Sequence, residues 1–149
     1  MGAVRFHEHG GREVRQVGTV ETPHAGHGEV VVDIEAAGVN PVDTYFREGA
    51  YPVPHLPFIG GGDLAGVVSE VGEGVETFSP GDRVLGTGLG NGRPGTSAEG
   101  VAAPADTLAH LPQAVSFAEG AALGTVGGTA WPALVHHADV DPAERVLVH

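Results

Sequence analysis

The chain has no cysteine, no lysine and no long apolar run. Without cysteine there are no disulfides, no thiolate nucleophile and no zinc site of the Cys-containing kinds. Without lysine the seven basic residues are all arginine (Arg5, Arg12, Arg15, Arg47, Arg83, Arg93 and Arg145), and they are scattered against nineteen acidic residues for a formal net charge of −12. A nucleic-acid surface needs clustered Lys or Arg to release phosphate counterions, so nucleic acid is not an expected partner. No segment approaches the roughly 18 apolar residues of a membrane span, and the N-terminal MGAVRFHEHGGREV lacks a signal-peptide core. The expectation is a soluble, cytoplasmic protein with no membrane partner.

What the 149 residues do contain is glycine and proline punctuation, 25 and 11 residues respectively, between short valine-rich runs. Over the first 110 or so residues these runs recur every 8–12 residues, the spacing of an all-β barrel or sandwich. Strands are predicted at Ala3 to His7, Val14 to Val20, Glu29 to Ala37, Asp63 to Val71, Asp82 to Gly86 and Ala98 to Pro104. A short helix should interrupt them: Asn40 suits its N-cap, Pro41 its first position, and Asp43 its first turn, where negative charge is favoured. After Leu111 the pattern changes. Ser116 and Glu119 form a capping box that opens a helix, GTVGG (Gly124, Gly127, Gly128) is expected to break it, and Thr129 is expected to cap a second helix. Arg145 to His149 reads as the continuous apolar strand of a parallel sheet.

Three ordered segments carry a family resemblance: AAGVNPVDTYFREGAYP from Ala36, GGGDLAGVVSEVGEGV from Gly60 followed by FSPGDRV, and AEGVAAPADTLAHLPQAVSFAEGAAL from Ala98. Together they resemble the zinc-free quinone oxidoreductases, the zeta-crystallin-like branch of the medium-chain dehydrogenase/reductase superfamily, across essentially the whole chain. The resemblance implies a mainly β fold with some α: a GroES-like, partly open β-barrel over residues 1–115. Residues 116–149 would supply two connecting helices and the first strand of a Rossmann domain that is otherwise absent. In the zinc alcohol dehydrogenases of the same superfamily a cysteine ligand falls at Asn40 and a histidine ligand at Gly62, and the glutamate beside that histidine is Asp63 here. No metal site is therefore expected. Nine histidines do not alter this, because the adjacent pair His136 and His137 point apart on a helix.

The implied chemistry is hydride transfer from NADPH to a quinone or enone. By resemblance Asn40, Tyr45 and Tyr51 are the catalytic candidates, and Asn40, Asp43 and Thr129 the cofactor-binding ones. Each has a plainer alternative. Asn40 is a good helix cap, the tyrosines ordinary half-buried aromatics, Asp43 a helix-dipole partner, and the glycines of GGGDLAG turns or close approaches rather than a phosphate cradle. Two functions stay open: the substrate-side half of an NADPH-dependent reductase, inactive alone and completed by a separate nucleotide-binding chain or an oligomer, or a non-catalytic binding module.

Overall fold

The computed structural model describes residues 1–141 and 143–148. Among the described residues, seven strands form two sheets. Strands β1 (Gly2–Phe6) and β2 (Arg15–Thr19) make an antiparallel hairpin; β3 (Glu29–Gly38), β4 (Asp63–Val71), β5 (Arg83–Gly86), β6 (Gly100–Pro104) and β7 (Leu108–His110) make a five-stranded sheet in the order β6-β3-β4-β5-β7. The hairpin is joined to the rest through single bridges, Ala3 to Ala98 and Phe6 to Phe58, so the barrel stays partly open. The six strands predicted before Leu111 lie within two residues of the observed ones. Only β7, three residues long, has no counterpart among them.

The long strand β3 organises the sheet because both of its edges are paired, to β4 and to β6. Val30 and Val32 project into the core with Leu64 and Val68 of β4 and Val84 of β5, and all five are essentially inaccessible to water. Fully burying one such side chain contributes about 1.5–3 kcal/mol. Gly66 shows why GGGDLAG is glycine-rich: a Cβ there would sit 2.1 Å from the Asp33 carbonyl oxygen on the neighbouring strand. The plainer reading of these glycines, close backbone approach, is the one the packing bears out.

Helix α1 (Pro41–Glu48) begins where expected, with Asn40 at its N-cap, and ends at Gly49 in the left-handed region. Helix α2 differs from expectation. It runs unbroken from Phe117 to Trp131, through Gly124, Gly127 and Gly128, and Thr129 does not cap a new helix: its hydroxyl donates to the Thr125 carbonyl one turn back. Glycine costs a helix only about 1 kcal/mol, and here two of the glycines are needed for packing. Cβ atoms at Gly120 and Gly124 would lie 2.8 Å from Leu111 and 2.6 Å from Asp63. The irregularity falls instead at Pro132, which lacks an N–H; from there Pro132–His137 is a π-helical segment, with Ala138 donating five residues back to Ala133.

Residues 143–148 belong to no strand, and Val146, Leu147 and Val148 are exposed. The expected parallel strand finds no partner edge among the described residues, and a parallel strand has no stability without one. The final residue of that predicted strand, His149, lies outside the described residues.

Candidate functional site

The site forms where α1 begins beside α2. Asn40 emerges from the end of β3 and sets the start of α1: its backbone N–H donates to the Asp43 carboxylate at 2.7 Å, while the Asp43 N–H returns to the Asn40 carbonyl at 3.0 Å. Its side chain does more than cap. The amide nitrogen Nδ2 donates to Asp63 Oδ2 at 2.8 Å, reaching from the helix start to the first residue of β4.

Asp63 is 1% exposed, yet no basic side chain pairs with it among the described residues. A buried carboxylate without a cation needs hydrogen bonds to every available lone pair, and Asp63 has four. Besides Asn40, the Thr87 and Thr125 hydroxyls donate to Oδ1 at 2.6 and 2.8 Å, and the Thr125 N–H donates to Oδ2 at 2.9 Å. Burial works against its charge, but the donors outweigh burial, first Thr87, then the Thr125 N–H, so the carboxyl lies below the ordinary aspartate value. Asp43 behaves oppositely. Burial raises its carboxyl, the Asn40 N–H partly offsets this, and the nearby Asp63 charge raises it further.

Asn40 and Thr125, two of the Asp63 donors, also line an apolar cavity of about 520 Å³. One wall is Asn40, Pro41 and Val42; the other is the α2 face of Thr125, Val126, Thr129 and Ala130, continued by Ala133 and Leu134. Asn40 and Thr129, both singled out from sequence, therefore face one space. Asp43 lines a separate cavity of about 120 Å³ on the other side of α1. Tyr45 and Tyr51 line neither: they pack edge to face with ring centroids 5.7 Å apart, and Tyr51 also meets Phe46 at 5.5 Å. Both tyrosines are nearly half exposed, at 45% and 47%.

Residues 26–113, which span β3 to β7 with α1, match the alcohol dehydrogenase GroES-like domain. The chain belongs to that family. As a GroES-like domain it is 42% identical over its whole length to a quinone oxidoreductase of Lama guanicoe, and 38% identical over 98% of its length to quinone oxidoreductase 1 of Escherichia coli. It spans less than half of those relatives, 45% and 44%. Its fold superposes on the Escherichia coli quinone oxidoreductase complexed with NADPH with a TM-score of 0.86 at 36% identity, covering 97% of this chain and 43% of that one. An NAD-dependent alcohol dehydrogenase superposes with a TM-score of 0.91 at 36% identity, covering 97% and 49%.

Within this GroES-like domain, no group of three or more His, Cys, Asp or Glu side chains lies close enough to hold a metal ion among the described residues. No helix among them is long and apolar enough to cross a membrane. The residues that sequence reasoning passed over are Asp63, Thr87 and Thr125. Asp63 did carry one signal: an aspartate opening the otherwise apolar run LAGVV needs partners supplied by the fold.

Proposed function

We propose that this GroES-like domain is the substrate-side part of an NADPH-dependent oxidoreductase that reduces quinones or related enones by hydride transfer. The observation that carries the reading is the shared cavity, lined by Asn40 at the start of α1 and by Thr129 of α2. Names of relatives matched along the whole chain point the same way. In this reading residues 1–115 are the GroES-like domain and residues 116–149 lead into a nucleotide-binding half, which a second chain, an oligomer partner or further sequence supplies.

The cavity suits the nicotinamide end of NADPH. Val42, Val126, Ala130 and Leu134 offer apolar surface to a flat ring, and Asn40 offers an amide to the ring's carboxamide. The Thr129 hydroxyl proton is committed to Thr125, which leaves its oxygen as an acceptor. When bound, the reduced nicotinamide supplies a hydride, and a quinone that takes it together with a proton becomes a hydroquinone. The protein's own part is to hold and orient. Asn40 fixes the ring end, Asp43 holds the Asn40 backbone, and Tyr45 and Tyr51, outside this cavity, offer aromatic faces and hydroxyl donors to a planar acceptor.

The test is expression of residues 1–149 alone and joined to the nucleotide-binding half of a quinone oxidoreductase, with quinone-dependent NADPH oxidation followed in both. The expected result is turnover only in the joined protein, because alignment of two reactants is worth on the order of 7–11 kcal/mol and one wall cannot supply it. A joined, folded protein that binds quinone without turnover would favour the non-catalytic binding module.

A further inference from the structure

Three of the four hydrogen bonds of Asp63 come from residues on the two sides of the cavity. Asn40 stands at the base of the α1 wall and Thr125 at the base of the α2 wall, and each donates to the same carboxylate. Thr87, following β5, supplies the fourth donor and lies 3.3 Å from the Thr125 hydroxyl. Gly124 lets the helix approach this closely, since a Cβ there would fall 2.6 Å from the Asp63 carboxyl carbon.

An ionised carboxylate only accepts hydrogen bonds, so the Asn40 amide has one permitted orientation: Nδ2 toward Asp63 and Oδ1 away from it. A neutral amide at position 63 could accept from Nδ2 or donate to Oδ1 and so would permit either orientation. We propose that Asp63 is the positioning residue of this site, setting both the orientation of the Asn40 amide and the separation of the two cavity walls. Asp63 is 1% exposed and does not line the cavity, so it acts through Asn40 and Thr125. The inference deepens the oxidoreductase reading and rests on it for the identity of what the cavity holds. The arrangement of side chains stands independently of that identity.

The chain contains two asparagines, Asn40 and Asn91, and two glutamines, Gln16 and Gln113, so the side-chain amide signals of the 149-residue protein are few enough to assign by substitution. In Asp63→Asn the Asn40 side-chain protons should shift and exchange with water about tenfold faster or more, as expected for loss of a charge-assisted bond. Backbone amides of Val30, Val68 and Val84 should stay protected. Unchanged Asn40 side-chain signals in a folded Asp63→Asn protein would overturn the proposal. Should Asp63→Asn fail to fold, Thr125→Val and Thr125→Ser replace it. Valine removes one donor to Asp63 and should alter the Asn40 side-chain signals, while serine, which keeps the hydroxyl, should restore them; equal effects of the two would also overturn it.

In the joined protein, Asp63→Asn should lower quinone-dependent kcat by about tenfold or more with a smaller change in the KM for quinone, since the acceptor's own contacts are untouched. Full activity in that variant would overturn the positioning role. If the unsubstituted joined protein shows no turnover, the oxidoreductase reading fails, and the nuclear magnetic resonance comparison alone decides the role of Asp63.

Discussion

Gly124 of α2 passes directly over Asp63 of β4, at a distance that leaves no room for a methyl group: an added Cβ would lie 2.6 Å from both Cγ and Oδ1 of the carboxyl. Gly124→Ala must therefore push the helix away or break bonds to a buried charge. A loss of about 1–3 kcal/mol is expected from the overpacking. Gly128, in the same helix, has nothing within 4 Å of its would-be Cβ, so Gly128→Ala should instead stabilise by about 0.5–1 kcal/mol through helix propensity. Urea denaturation of the two variants gives opposite signs if the packing is as described. Equal stabilisation by both would show that α2 does not rest on Asp63.

Acid stability should be governed by Asp63 and Asp43 in opposite senses. The donors from Thr87, Thr125 and Asn40 prevail over burial and hold the folded-state pKa of Asp63 below its ordinary 3.8. As pH falls below 3.8 the unfolded chain takes up this proton before the folded one, so the stability Asp63 contributes is present above that value and is lost as pH falls through the folded pKa. For Asp43, burial and the Asp63 charge raise the folded pKa above 3.8, so its contribution declines as pH rises through the folded value. Asp63→Asn should flatten the acid limb of a stability-against-pH curve. Asp43→Asn should gain on the unsubstituted chain as pH rises above 3.8. An unchanged acid limb in Asp63→Asn would show that its carboxylate is not held as these bonds require.

Much of the fold was readable because its signals are local. Short apolar runs between Gly/Pro turns mark β1 through β6, and Asn40-Pro41 marks the start of α1. Gly124 reads locally as a helix breaker because its purpose is tertiary, a close contact with Asp63, distant in sequence. The role of Asp63 was hidden for the same reason. Its partners sit 23, 24 and 62 positions away, at Asn40, Thr87 and Thr125, and no short motif connects them. Of the residues that resemblance groups into one site, Asn40 and Thr129 line one cavity, whereas Asp43 lines another and the tyrosine pair lies in neither.

Trp131, the one tryptophan of the chain, closes α2 and is 64% exposed, on the element that also exposes Leu123 and Val126. Its fluorescence in dilute solutions of the 149-residue protein should be that of a solvated indole and open to acrylamide quenching. Joining a nucleotide-binding half should shift the emission to the blue and reduce quenching several-fold as the apolar face is covered. A shielded tryptophan in the dilute chain would mean that copies of the chain already cover this face, which sedimentation would register as an oligomer.

Tyr45 and Tyr51 are separable by substitution because the ring pair and the hydroxyls have different duties. The edge-to-face contact at 5.7 Å, together with Phe46 against Tyr51 at 5.5 Å, holds the rings against one another, and Phe at position 51 preserves both contacts. What Tyr51→Phe removes is one hydroxyl. If that hydroxyl donates to the oxygen of a planar acceptor, its loss should cost about 0.5–1.5 kcal/mol, or roughly two- to tenfold in kcat/KM for quinone in the joined protein. Tyr51→Ala also removes the ring that braces Tyr45 and should cost more, with the excess in the KM for quinone. Substituting Glu76, which lies beyond β4 and away from the Asn40 cavity, should change neither constant. If Tyr51→Phe and Tyr51→Ala both match the unsubstituted joined protein in kcat/KM, the acceptor does not meet this pair, and the exposed tyrosines are a packing feature of α1 rather than part of the site.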